Sequence, residues 1–233
     1  MTFLELHNKV LDRLRENRIV STDIGSNPYV NSISAHINDA KDAVENAWAW
    51  GSTRGEDTIT LTQGEEVVEI PDSFDSHYLI YGASVDDTGN FLRQKTMDEM
   101  RRFYVNDANN PVSEGGITNW ATHYHNQTTG NLQIRVYPRP ESAVTVRLYR
   151  SKHQGDMVNH GDILLVPSLP VYSLATALAS RERGEVGGTP TSELFAIADA
   201  HLSDAIALDS AAYPENLIWY NDSNVSETNI RYN

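Results

Sequence analysis

The hydrophobic period of the chain changes twice, and this restricts its fold more than any motif does. Apolar residues recur at Val30, Ile33, Ile37, Ala40, Val44 and Ala47, in alternating steps of three and four. That rhythm is the seam of a helix lying along another helix. Asn27-Pro28 supplies its cap and first turn, Trp48 and Trp50 close it, and Gly51 ends it. An earlier helix opens at Thr2 with Glu5 three residues on, the spacing of a capping box, and presents Leu4, Val10, Leu11 and Leu14.

Beyond Gly51 the period becomes two. Thr58 to Thr62 alternates, Gln63-Gly64 turns, and Val67 to Ile70 returns as a hairpin partner. Tyr78 to Val85 reads as a third strand, followed by the turn Asp86-Asp87-Thr88-Gly89-Asn90. Thr96 and Glu99 have the spacing to cap a short helix through Tyr104, and Ile117 to His125 is a further strand. Leu132, Ile134 and Val136, then Val144, Val146 and Leu148, alternate with polar residues around Pro138-Arg139-Pro140-Glu141. This pattern predicts an antiparallel hairpin with Gln133, Arg135, Tyr137, Thr145, Arg147 and Tyr149 on one face.

Helical spacing returns at Ser168-Leu169-Pro170, in a segment rich in small residues, which Gly184 and Gly187-Gly188 break. Thr189-Pro190 opens a last helix to about Ala212, and Pro214 ends it. Helices at both ends around a strand-rich middle predict an α+β chain. Residues 1–55 and 160–212 form a discontinuous helical bundle. Residues 56–159 form an inserted antiparallel, sandwich-like β domain, and 213–233 an extended C-terminal arm.

Charge and composition narrow the function. The 233 residues hold 18 Lys and Arg against 32 Asp and Glu, a formal charge of −14. Such a surface repels phosphate, which disfavours binding of nucleic acid over the whole molecule. The chain has no Cys, so disulfides, thiolate metal sites and Cys nucleophiles are excluded together. No apolar run reaches the ~20 residues that a membrane-spanning helix needs. The opening Met1-Thr2-Phe3-Leu4-Glu5 lacks the basic start of a signal peptide, so synthesis in the cytoplasm is expected.

No catalytic motif appears, and no metal site or cofactor is expected. His123 and His125, two apart on a strand, would share a face, but no third ligand accompanies them. The acidic pairs Glu56-Asp57, Glu65-Glu66 and Asp86-Asp87 lie beside turns, where such residues are ordinary. Two carboxylates adjacent in sequence do not flank a glycosidic bond.

Two features point to interfaces instead. Residues 131–152 carry a net of +4, with Arg135, Arg147 and Arg150 among the cations. From Gly184 through Ile230 there is no Lys or Arg and a net of −8, including Asp199, Asp204 and Asp209. A basic sheet face and an acidic last helix suit head-to-tail association, which closes into a ring when the rotation permits. A plain solvated surface is the simpler reading of the same charges. Residues 213–233 have no period yet carry Ile218, Trp219, Tyr220 and Tyr232. Aromatic residues of this kind anchor interfaces, so the segment reads as an arm that orders on a partner, the plainer reading being that it folds back on its own β domain.

Several segments resemble the head-to-tail adaptors of short-tailed bacteriophages, akin to tail tubular protein A. Met1-Thr2-Phe3-Leu4-Glu5-Leu6 to Arg15 looks like that family's first helix. Ile37-Asn38-Asp39-Ala40-Lys41 through Trp48-Ala49-Trp50 looks like its second. Leu165-Val166-Pro167-Ser168-Leu169-Pro170, with Ala175 to Gly184-Glu185, looks like the turn and helix after the β insertion. Tyr213-Pro214-Glu215 to Trp219-Tyr220 looks like the start of the arm. The resemblance implies a structural virion protein of the neck and not an enzyme. It implies a ring, usually of twelve copies, between the portal protein and the tail nozzle protein, with a platform for the tail fibre protein. Genomic DNA would pass through without specific binding. A rival reading makes the β domain a tail-associated saccharide-binding or hydrolysing module. Its platform would be Trp120, Tyr124 and Tyr137, assisted by His123, His125 or Asp86-Asp87.

Overall fold

A computed structural model describes residues 1–73, 78–107, 114–184 and 191–212. The chain is α+β and divides into two compact units. One comprises residues 1–52 with those from 154 onward, and the other residues 53–153.

The first unit is helical. Helix α1 (Phe3–Arg13) begins with the expected capping box: Glu5 N–H donates to the Thr2 hydroxyl, and Thr2 N–H donates to the Glu5 carboxylate. Helix α2 (Pro28–Ala47) is capped by Asn27, whose side chain accepts from Tyr29 N–H. Its seam buries Val30, Ile33, Ile37, Ala40 and Val44, whereas Ala47 is exposed. The next helix of this unit, Ser168–Arg183, ends at Gly184 with φ +62°, a left-handed turn that glycine takes at least cost. That helix is buried on nearly every side, with Val171, Ser173, Ala175, Thr176, Ala177, Ala179 and Ser180 all enclosed. Its small side chains let α1, α2 and the last helix, Thr191–Ala212, pack close around it. Phe3, Leu6, Leu11, Ile37, Trp50, Met157, Leu164 and Val171 form the core of the unit.

The second unit is a sandwich. Its strands are β1 (Arg54–Leu61), β2 (Val67–Glu69), β3 (Leu79–Val85), β4 (Arg93–Gln94), β5 (Glu114–Gly115), β6 (Asn119–His125), β7 (Leu132–Tyr137), β8 (Arg139–Pro140) and β9 (Val144–Ser151). One sheet has the order β1-β9-β3, the other β2-β7-β6-β4, and β5 pairs with β8. Inward residues of both large sheets share one core, among them Leu61, Ala83, Trp120, Ile134, Val136, Val146 and Leu148. The pairing is mostly antiparallel; β4–β6 and β5–β8 are short parallel pairs. Helix α3 (Met97–Asp107), opened by the reciprocal Thr96–Glu99 cap, covers the outer face of the four-stranded sheet. The helices Ser168–Arg183 and Thr191–Ala212 are α4 and α5.

Two strand pairings differ from the sequence expectation. Leu132–Tyr137 and Val144–Ser151 are not hairpin partners: β7 pairs with β2 and β6, and β9 with β1 and β3. Likewise β1 and β2 lie in different sheets. Alternation reports only that one face is buried. It is the same whether the next strand lies beside its predecessor or faces it across a sandwich. At Pro138 and Pro140 the chain lacks two ladder donors and crosses between sheets.

Candidate functional site

Four arginines of the sandwich, Arg135, Arg139, Arg147 and Arg150, are paired with carboxylates of their own unit. Arg147 on β9 bridges Asp86 (2.5 Å) and Glu56 (3.0 Å), and Arg150 holds Asp57 at 2.9 Å. Gly55 lies beside that guanidinium, and a Cβ there would come within 3.0 Å of an Arg150 nitrogen. On the other sheet, Arg135 (2.5 Å) and Arg139 (2.7 Å) converge on Glu66, and both cations lie over the Tyr104 ring. Burial alone would raise the Glu66 carboxyl, but the two arginine hydrogen bonds outweigh it and hold the group below its ordinary range. Asp57 is held low in the same way, its burial outweighed by Arg150 and the Tyr78 hydroxyl. Arg135 and Arg147 therefore stand on outer faces of two different sheets, so the single basic face expected from sequence does not form.

A groove of about 520 Å³ runs along β1, lined by Asp57, Ile59, Pro71, Asp72, Arg150 and Lys152 among others. Its charges alternate in sign, and the Arg147 and Arg150 guanidinium groups are committed to carboxylates. The aromatic platform of the saccharide reading is dismantled. Trp120 is fully enclosed in the sandwich core. Tyr137 lies under α3, stacked on Phe103 at 4.8 Å and edge-on to Tyr104 at 5.5 Å. Tyr124 alone of the three is exposed. The shared face of His123 and His125 is also lost, because a register shift between Thr122 and His125 interrupts the alternation of β6. Among the described residues no three His, Asp or Glu side chains are placed to hold a metal ion.

The acidic residues of α5 divide in two. Asp199 and Asp204 are exposed, Asp204 on its outer side and Asp199 on its flank. Asp209 is half-buried and works inside its own unit: it accepts the Trp48 indole N–H at 2.9 Å and the Gly51 backbone N–H at 3.2 Å. The Trp50 indole N–H donates to Val44 O at 2.8 Å, so the Trp48-Ala49-Trp50 exit from α2 is pinned by both indoles. The arm residues Ile218, Trp219, Tyr220 and Tyr232 lie outside the described residues.

Sequence reasoning missed a buried polar cluster under α2. Lys41 is 1% exposed and donates to Gln154 O (2.6 Å) and Gly155 O (3.2 Å), and it pairs with Asp42 at 2.8 Å. Glu45, equally buried, accepts the Gln154 N–H at 3.2 Å. These groups tie the segment that re-enters the helical unit to α2. Ion pairs of this kind hold a backbone in place and present nothing to a substrate.

What the two units display, then, is structural: neutralised sheet faces, pinned chain crossings and an acidic outer helix. The family model of the SU10 adaptor protein matches residues 1–209, and the chain belongs to that family. It is accordingly a bacteriophage adaptor, a component of the virion. Among curated proteins, none matches the chain in sequence. No helix among the described residues is long and apolar enough to cross a membrane.

Proposed function

We propose that this adaptor forms a homo-oligomeric ring between the portal protein and the tail nozzle protein, extending the DNA channel and giving the tail fibre protein its platform. The observation that carries the reading is the family match over residues 1–209, joined to a surface whose polar groups are largely committed to structure. The acidic balance of −14 suits a conduit, because a wall that repels phosphate does not retain a moving duplex. Residues 213–233, with Ile218, Trp219, Tyr220 and Tyr232, act as the portal-binding arm. The inserted β unit, bounded at residues 53–153 where the sequence suggested 56–159, folds as a domain of its own.

Co-sedimentation with assembled portal rings tests the arm. The full chain is expected to sediment with the portal. A chain ending at Tyr213 should keep its circular-dichroism spectrum and lose attachment. Full attachment of the shortened chain would overturn the arm assignment, and failure of both chains would overturn the adaptor position.

A further inference from the structure

Helix α5 is apolar on two sides. Leu202, Ala205 and Ile206 pack inward against the helical core. On the opposite side Glu193, Ile197, Ala200, Asp204, Ala207 and Ala211 recur in steps of four and three, the rhythm of a helix with a partner. Ile197 is 39% exposed, and Leu208, beside this seam, is 74% exposed. The side chains between them are small, which allows close approach.

We propose that this outer face of α5 is a subunit interface whose occupant is the α1 edge of a second copy of the chain; the proposal rests on the ring reading above. Charge selects the occupant. No Lys or Arg occurs from Gly184 to Ile230, so pairing this face of α5 with another α5 would set Glu193 and Asp204 against their own kind. The α1 edge offers the complementary charge, because its exposed acids are engaged locally: Asp12 by Arg18, Glu16 by Arg183 and Glu5 by the Thr2 cap. Lys9 and Arg15 are exposed, and among the described residues neither is in an ion pair. Arg15 sits just past the C-terminus of α1 with φ +59°, and Glu16 N–H closes the turn on Leu11 O at 2.9 Å. Glycine would occupy this position at lower cost, and the arginine there projects a cation from a fixed turn. At the other end of α1, Thr2 bridges to Ile163, which is 62% exposed, next to Leu165 at 47%. Helix α5 has 22 residues, about 33 Å. It is long enough to reach both the apolar and the basic end of the 11-residue α1. Two unlike faces make a heterologous contact, the kind that generates rings.

The absence of Cys gives a direct test, because an introduced thiol is unique. Full-length Ala200→Cys and Asn17→Cys chains, both substituted at exposed positions, are mixed together with assembled portal rings and mildly oxidised. The mixed disulfide is expected to exceed either like pair. Adding Asp204→Lys should cut its yield about fivefold, and pairing that change with Arg15→Glu in the other chain should restore it. Like pairs of Ala200→Cys in excess, or the yield of random pairing, would overturn the proposal. Portal co-sedimentation of the same chains is read in parallel. Portal attachment without the mixed disulfide removes this contact and leaves the adaptor position standing.

Discussion

Asp209 accepts hydrogen bonds from two donors of the α2 exit, the Trp48 indole and the Gly51 backbone N–H. Removing the acceptor strands both in a half-buried site, at a cost of about 1–3 kcal/mol. Asp209→Ala is therefore expected to lower the thermal midpoint of the chain, and Asp209→Asn, which keeps one acceptor oxygen, to lower it less. A melting curve unchanged by Asp209→Ala would return the residue to the surface-charge role that the sequence suggested. Trp48 and Trp50 were legible as the end of α2, since their position after the apolar seam marks it. Their acceptors were not, because a sequence shows which groups need partners and not which distant residue supplies one. Lys41 makes the same point. Its place beside Ala40 and Val44 reads as a polar flank, yet the carbonyls of Gln154 and Gly155 draw it into the interior.

Among the elements, the helices were legible to within about three residues because caps and periods are local. Thr2–Glu5, Asn27-Pro28, Thr96–Glu99 and Gly184 all lie where helices begin or end. Strand pairing was not legible, because the partner of β7 or β9 is set across the sandwich, where alternation carries no information. The two units also differ in what acid does to them. His7 is buried in the helical unit, its Nδ1 2.9 Å from Phe3 O and its Nε2 2.8 Å from the Ser34 hydroxyl. Burial pushes its pKa below the ordinary 6.5. The unfolded chain then binds the proton more readily, so this contribution is complete above 6.5 and is lost as the pH falls below it. Glu66 and Asp57 in the sandwich are held below their ordinary 4.5 and 3.8, so their contribution is complete above those values and is lost only as the pH falls further. Hydrogen exchange followed from pH 7 downward, at about half-unit steps, should show peptides of α1 and α2 losing protection before those of β7 and β9. The opposite order would contradict these assignments.

At the scale of the whole molecule, the α+β class and the helix–strand–helix order follow from two changes of period, and the family match covers most of the same chain. The expected charge asymmetry survives in altered form. Arg135, Arg139, Arg147 and Arg150 of the sandwich are spent on Glu56, Asp57, Glu66 and Asp86, while Lys9 and Arg15 of the helical unit are exposed and, among the described residues, in no ion pair. Sequence could not make that distinction, since a charge count does not separate a neutralised arginine from a free one. On the proposed ring reading, copies are expected to stay apart until a template gathers them, because exposed complementary charges are weak singly and strong only in number. Light scattering on a sizing column, with the chain run alone and then with the portal protein of the same genome, tests this most directly. A single chain is expected in the first run and a large complex of fixed stoichiometry in the second. A chain that stays single in both would contradict it.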